Sequence, residues 1–430
     1  MNSMKAYRAS ILHFISEPTL DGGGVEFFDD GILLVEQGRV SALDSAEKLL
    51  PKIEQENIDL VDYSGQLIMP GFIDTHVHFP QINIIGSYGE KLLDWLNNYT
   101  FPAESKFSDQ AYAQVVAEQF VQSLFSHGTT TAMVYCTVHP ESVDAFFTTS
   151  SRYDACMLAG KVMMDRNCPE NLQDTAVSSY EQSQALIDKW HKNGRSLYTV
   201  TPRFAPTSTP AQLAFAGKLL RENSGVYLQT HLSENVSEIE WVKSLYPDHE
   251  NYLDVYDHYG LLSENSTFGH GIHLSDGELT RLSDTQSKIA FCPTSNLFLG
   301  SGLYDLARSE KFGVATSIAT DVGAGTSLCQ LQTLNEAYKV TQLQDYPLHS
   351  YQAFYWLTLA NAKSLNIDDE LGNFNTGKYA DFIVLGSDSS SVFEYRYQLC
   401  QSLSEKLFLF MTMGDDRNIK HTYVHGECVY

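Results

Sequence analysis

His76 and His78 stand two residues apart at the end of the run GFIDTHVH, residues 71–78. The apolar residues before them read as a buried strand, whose side chains alternate with period two, so both imidazoles leave it on the same side. One metal ion can hold two such imidazoles at a strand end. An HxH pair alone says little, but three later runs close in a similar way. GVYLQTH (225–231) ends on His231, with Glu234 three residues beyond it, STFGH (266–270) ends on His270, and VATSIATD (314–321) ends on Asp321. Neutral nitrogens plus a carboxylate suit zinc and leave room for a water molecule. Each strand end by itself is an ordinary place for a hydrogen-bonded His or Asp. Four of them on one face of one fold would form a site.

The elements that must position these residues follow from periodicity. Beginning at residue 71, short β-rich runs recur at 129–135, 156–164, 196–204, 225–231, 266–272, 288–293 and 314–321, which makes eight. Helix-like stretches lie between most of them, at 110–127, 180–191, 210–222 and 327–342. Alternating strands and helices predict an α/β fold, a (β/α)8 TIM-like barrel with its active site at the C-terminal ends of the strands, where the histidines lie. A barrel alone names no activity, so the functional reading rests on the side chains.

The flanks do not follow the barrel pattern. Short alternating runs at 31–36 and 66–69, with more at 379–385 and 422–430, predict a small β-sandwich domain built from both termini. The expected division is a composite β domain of residues 1–69 and 370–430 around a barrel of residues 70–369. Residues 387–414 resist assignment, although 401–411 can be read as helix. No repeat or Pro/Ser-rich linker separates the two parts, which predicts tight packing between them.

Composition narrows the function classes. A chain of 430 residues with 43% hydrophobic content can bury a large core, and no apolar run approaches the length of a membrane span. The N-terminal residues are not followed by the apolar stretch of a signal peptide, so the expected location is the cytoplasm. Seven cysteines without a C-x-x-C read as ordinary thiols rather than a disulfide framework or a thiolate metal site. A net charge of -25 and the absence of Lys/Arg clusters argue against a nucleic-acid partner and favour a small, uncharged substrate.

The pieces GFIDTHVH, THLSEN (230–235), FGH (268–270) and ATD (319–321) resemble the metal-site signature of the amidohydrolase superfamily. GQLIMPG (65–71) and GKYADFIVL (377–385) resemble the strands flanking its barrel. Within it the chain is most similar to the guanine deaminase family, on Gln81 after the HxH, LLDWLNNYTFPAE (92–104), HGTTTA (127–132), TPRF (201–204), SEN (233–235) and CPTSNL (292–297).

That resemblance implies one zinc ion per subunit, held by His76, His78, His231 and Asp321. Members with two metals usually bridge them by a carboxylated lysine after strand four; residues 196–207 contain none, so a mononuclear site is expected. Lys161, inside the third run, reads as structural. Asp321, His270 and Glu234 are the expected catalytic residues. Asp321 would take a proton from water, His270 would aim the nucleophile at the C2 atom of a guanine ring, and Glu234 would protonate the neighbouring ring nitrogen. The other reading of Glu234 is a carboxylate near a helix N-terminus. Gln81 and Arg203 are expected on the polar edge of the purine, His270 beside it and Phe204 stacked on its ring. Trp95 reads either as a lid residue or as helix core. The zinc set would also serve a cytosine, adenosine-type or triazine-directed enzyme, and a non-catalytic scaffold of the same fold is the other class. The family also implies a homodimer.

Overall fold

The computed structural model describes residues 4–89 and 91–430. Eight parallel strands follow one another around a nearly closed sheet: β1 Phe72–His78, β2 Thr129–Tyr135, β3 Cys156–Gly160, β4 Ser196–Pro202, β5 Tyr227–Leu232, β6 Ser266–His270, β7 Lys288–Phe291 and β8 Thr316–Ile318. Every residue of β1 and β2 is buried, as expected when helices cover the outside of a parallel sheet and side chains fill the inside. The helices between them start where local chemistry dictates. Helix Pro210–Glu222 has Pro at its first turn and the Thr209 side chain accepting from Gln212 N, while helix Gln110–Ser126 is capped by Asp109.

Several strands stop short of their sequence runs, the third and eighth most of all. The third run breaks at Lys161, after which Val162–Met163 forms a separate short strand against β4. The Lys161 ammonium is buried there in an ion pair with Asp174, a structural role. The eighth ladder stops at Ile318, and residues 319–321 turn away from it.

Beyond the ladder, the seam between β8 and β1 is closed by individual bonds. Asp321 N donates to His76 O at 2.9 Å and His78 N to Val322 O at 2.7 Å. The Asn361 amide donates to Ile73 O and Ile318 O and accepts from Ile318 N. Asp74 accepts from both Thr320 N and Thr320 Oγ1. These bonds leave few orphan backbone groups at the one place where the barrel lacks a ladder.

Both termini contribute to a second, seven-stranded mixed sheet, in the order Glu427–Cys428, Ile419–Val424, Phe382–Leu385, Asp59–Pro70, Lys5–Phe14, Val25–Glu36, Arg39–Ser45. Asp59–Pro70 runs almost directly into β1. Arg195, just before β4, forms a buried bidentate pair with Asp381 beside Phe382–Leu385. Its guanidinium lies 4.0 Å from the Tyr379 ring centroid. Residues 391–398 and 403–413 are helical, the second overlapping the helix expected there. Among the described residues no helix is long and apolar enough to cross a membrane.

Candidate active site

The C-terminal ends of β1, β5, β6 and β8 meet over one buried cavity. From β1, His76 Nε2 lies 3.3 Å and His78 Nε2 3.2 Å from Asp321 Oδ1, and His231 Nε2 from β5 lies 3.3 Å from His78 Nε2. One ligand atom from each of these four side chains falls within 4.8 Å of all the others. Gly269 makes room for the cluster, since a Cβ there would come within 2.6 Å of the His76 ring. Three non-glycine residues at these strand ends, Ser233, His270 and Asp321, hold positive φ of 48°, 71° and 49°. Backbone strain of this kind gathers where side-chain placement matters more than local comfort.

The donor set fits a metal ion. His231 Nδ1 faces Arg203 O at 2.7 Å; a carbonyl only accepts, so Nδ1 carries the proton and Nε2 keeps its lone pair. Burial, and then the neighbouring histidines, holds His231 well below its usual pKa; burial brings His78 down to about 3. Burial alone would raise the Asp321 carboxyl, but the His76 and His78 rings, 3.2–3.3 Å from its Oδ1, outweigh it and hold it well below its ordinary range. Neutral imidazoles beside an ionised carboxylate are the protonation states a cation needs. His76 Nε2 and His78 Nδ1 have no hydrogen-bond partner although buried. The spacings of 3.2–3.3 Å match the edge of a tetrahedron with bonds of about 2.0–2.1 Å. A second group of His76, His270, Cys292 and Asp321 shares two of these residues. Its thiol lies deep and burial pushes it well up, so it is a poor ligand.

Two further side chains face the donors. His270 Nε2 lies 3.4 Å from Glu234 Oε2 and 3.8 Å from Asp321 Oδ2, and its Nδ1 is fixed by Asn296 Oδ1 at 2.9 Å. Glu234 Oε1 accepts from Ser301 Oγ at 2.9 Å. Burial, reinforced by the Asp321 charge, pushes the Glu234 carboxyl up to about 8. Behind it Glu238 accepts from Glu234 N, Asn235 N and Tyr252 OH, in a capping box that starts the helix Val236–Leu245. Glu234 therefore precedes that helix, while Glu238 performs the capping.

Gln81, Arg203, Phe204 and Trp95 line the same cavity, so every site residue expected from the sequence is gathered there except His76, which lies behind His78 among the metal donors. Arg203 donates through Nη1 to both oxygens of Glu104 at 2.9 Å. Trp95 is both wall and core: it packs with Leu299 and Ala324 and faces the cavity. It ends the short helix Leu92–Trp95, which continues through a π turn, Leu96–Thr100, into Phe101–Glu104. Glu104, Asn296 and Ser301 are absent from the sequence reading as functional residues, although Glu104 and Asn296 fall within its quoted motifs.

The profile of the Amidohydrolase family matches residues 67–429. A guanine deaminase of Escherichia coli (strain K12) is 51% identical over 100% of this chain and 98% of its own length. The solved structure of an E. coli guanine deaminase superposes with a TM-score of 0.96 at 52% identity, covering 99% of each chain. Guanine deaminase from C. acetobutylicum, crystallised with guanine bound in its active site, superposes with a TM-score of 0.90 at 28% identity, covering 100% of both chains.

Proposed function

We infer that this chain, which belongs to the amidohydrolase family and within it to the guanine deaminases, hydrolyses guanine to xanthine and ammonia. The observation that carries the reading is the convergence, at one cavity, of a four-residue metal donor set, the buried Glu234 carboxyl and the polar side chains Gln81 and Arg203.

Zinc is the proposed metal, one ion per subunit on His76, His78, His231 and Asp321, because three imidazoles and one carboxylate suit it. When bound, it acidifies water enough to supply a hydroxide-like nucleophile near neutral pH. Asp321, ionised, has a second oxygen free to take the proton that the water gives up. His270, its ring held by Asn296, aims the attacking oxygen at C2. Glu234 carries a proton at neutral pH and gives it to the ring nitrogen next to C2, drawing charge off the ring as the new C–O bond forms. It then relays the proton from Asp321 to the exocyclic amine, the C2–N bond breaks and ammonia leaves, and the new C2 hydroxyl gives its proton to Glu234, which forms the second carbonyl of xanthine and restores the acid. Gln81 and Arg203 hold the oxo edge of the base, with Arg203 on O6, while Phe204 stacks on the ring and Trp95 covers the slot.

The same reading includes a cytoplasmic homodimer. Seven free thiols accord with a reducing compartment, and helices 391–398 and 403–413 expose Val392, Tyr395, Phe408 and Met413 as apolar surface for a second copy. Sedimentation of the purified protein tests the assembly.

The deciding assay follows xanthine and ammonia together from zinc-loaded protein and guanine, with cytosine and adenine in parallel. Equal amounts of xanthine and ammonia from guanine alone are expected. No turnover of guanine by protein with stoichiometric zinc would overturn the substrate and leave the metal hydrolase standing.

A further inference from the structure

Gln81 and Arg203 converge on a single carboxylate to which nothing in the reaction assigns a part. Glu104 ends the segment Phe101–Glu104 with no exposure to solvent. Both of its oxygens accept from Arg203 Nη1 at 2.9 Å, and Oε1 lies 3.5 Å from Gln81 Nε2. The far end of the Gln81 amide is also held, because Oε1 accepts from Gly323 N at 3.3 Å. The amide therefore has one sensible orientation, since a flip would set its oxygen against the carboxylate and its NH2 against an N–H. Arg203 likewise has one of its two terminal nitrogens committed to Glu104.

The pair also decides the charge of the pocket. Arg203 is 2% exposed, so without Glu104 its charge would stand without its ion-pair partner in a low-dielectric site, where it attracts anions strongly. Substrate and product differ in this respect. Guanine is neutral at neutral pH, whereas xanthine has gained a second carbonyl and gives up a ring proton near neutrality.

We propose that Glu104 is the specificity-determining positioning residue of this site: it sets Arg203 and Gln81 against the oxo edge of a neutral 6-oxopurine and cancels the Arg203 charge, so the anionic dioxo product is released. The proposal rests on guanine being the substrate. The side-chain bonds of Glu104 go to Arg203 and Gln81 rather than to the metal donors or Glu234, so its removal acts on recognition rather than on bond-making.

The test compares Glu104→Gln and Glu104→Asp with wild type for guanine KM, kcat and inhibition by xanthine, at a pH where xanthine is ionised, with zinc content measured alongside. In Glu104→Gln the guanine KM rises about tenfold or more while xanthine inhibits more tightly, so the two constants move in opposite directions. Glu104→Asp keeps the charge on a shorter arm; its KM rises but xanthine inhibition does not tighten. Parallel weakening of guanine and xanthine in Glu104→Gln, or no change in either, overturns the proposal. If Glu104→Gln does not fold, Glu104→Asp still decides, because tighter xanthine inhibition in a variant that retains the charge refutes charge cancellation and an unchanged KM refutes positioning. Wild type that fails to deaminate guanine refutes the functional reading instead.

Discussion

Replacing Glu234 by Gln isolates its proton. The side chain is 1% exposed, and burial together with the nearby Asp321 charge pushes its carboxyl up to about 8. At pH 7 a group with that pKa carries its proton in about nine molecules of ten. Gln has nearly the same shape, and its amide oxygen can still accept from Ser301 Oγ, now 2.9 Å from Glu234 Oε1, so packing and metal donors are left alone. What disappears is proton transfer by a positioned acid, which contributes about 10²–10⁴-fold, or about 3–5 kcal/mol of barrier. The expected result in the ultraviolet assay is a kcat lower by that factor, a guanine KM close to wild type, and one zinc per subunit. The pH profile gives a second reading. Because the pKa is raised, the competent form is the protonated one, present below pH 8, and wild-type kcat falls as pH rises through about 8. That alkaline limb vanishes in Glu234→Gln. A variant that keeps kcat within about fivefold of wild type, with zinc bound, refutes the proton-donor role.

Three other outcomes are expected. Chelation abolishes turnover and lowers the melting temperature, since four donors within 4.8 Å lose their common partner, and zinc restores both; turnover by protein shown to be metal-free would refute the donor assignment. Ser301→Ala removes a bond that holds the Glu234 carboxyl down, so the alkaline limb moves to higher pH and kcat drops by about five- to thirtyfold, from about 1–2 kcal/mol of lost positioning; an unmoved limb would refute that coupling. Asp381→Asn strands the buried Arg195 guanidinium and costs about 3–5 kcal/mol in a urea unfolding measurement while leaving kcat near wild type; a cost under about 1 kcal/mol would show that the pair does not hold sheet to barrel.

The sequence makes some elements plain because their signals are local. Helix Pro210–Glu222 and strand Thr129–Tyr135 match their expected bounds, the first from its Thr-Pro start and the second from a run rich in β-branched residues. Period two places His76 and His78 on one side without any knowledge of the fold. The eighth strand is expected at 314–321 but ends at Ile318, because Asp321 must leave the ladder with φ 49° to reach the histidines. Residues 391–398, SVFEYRYQ, mix aromatic and β-branched residues that hide a helix, and its one local sign is Ser390 capping Phe393 N. Glu104 is harder still. Its partner Arg203 lies 99 positions away, and nothing within LLDWLNNYTFPAE distinguishes a buried anchor from a surface carboxylate. Asn296 and Ser301 act through His270 and Glu234 across 26 and 67 positions, separations over which no periodicity operates.

The strand Asp59–Pro70 is flanked by Lys5–Phe14 on one side and by Phe382–Leu385 on the other, and it leads straight into the strand bearing His76 and His78. During synthesis the amino-terminal half emerges first. All four metal donors and Glu234 have left the ribosome before residue 382 is made, yet the edge of Asp59–Pro70 and Arg195 still wait for their partners. The clasp closes only after residues 382–385 are made. A chain in which residue 382 is not yet made thus holds the full set of donors while the strand leading to the first two still has one open sheet edge, a ready target for chaperones and proteases. Arrival of residues 382–385 is in this way registered by the strand that leads into the first two donors.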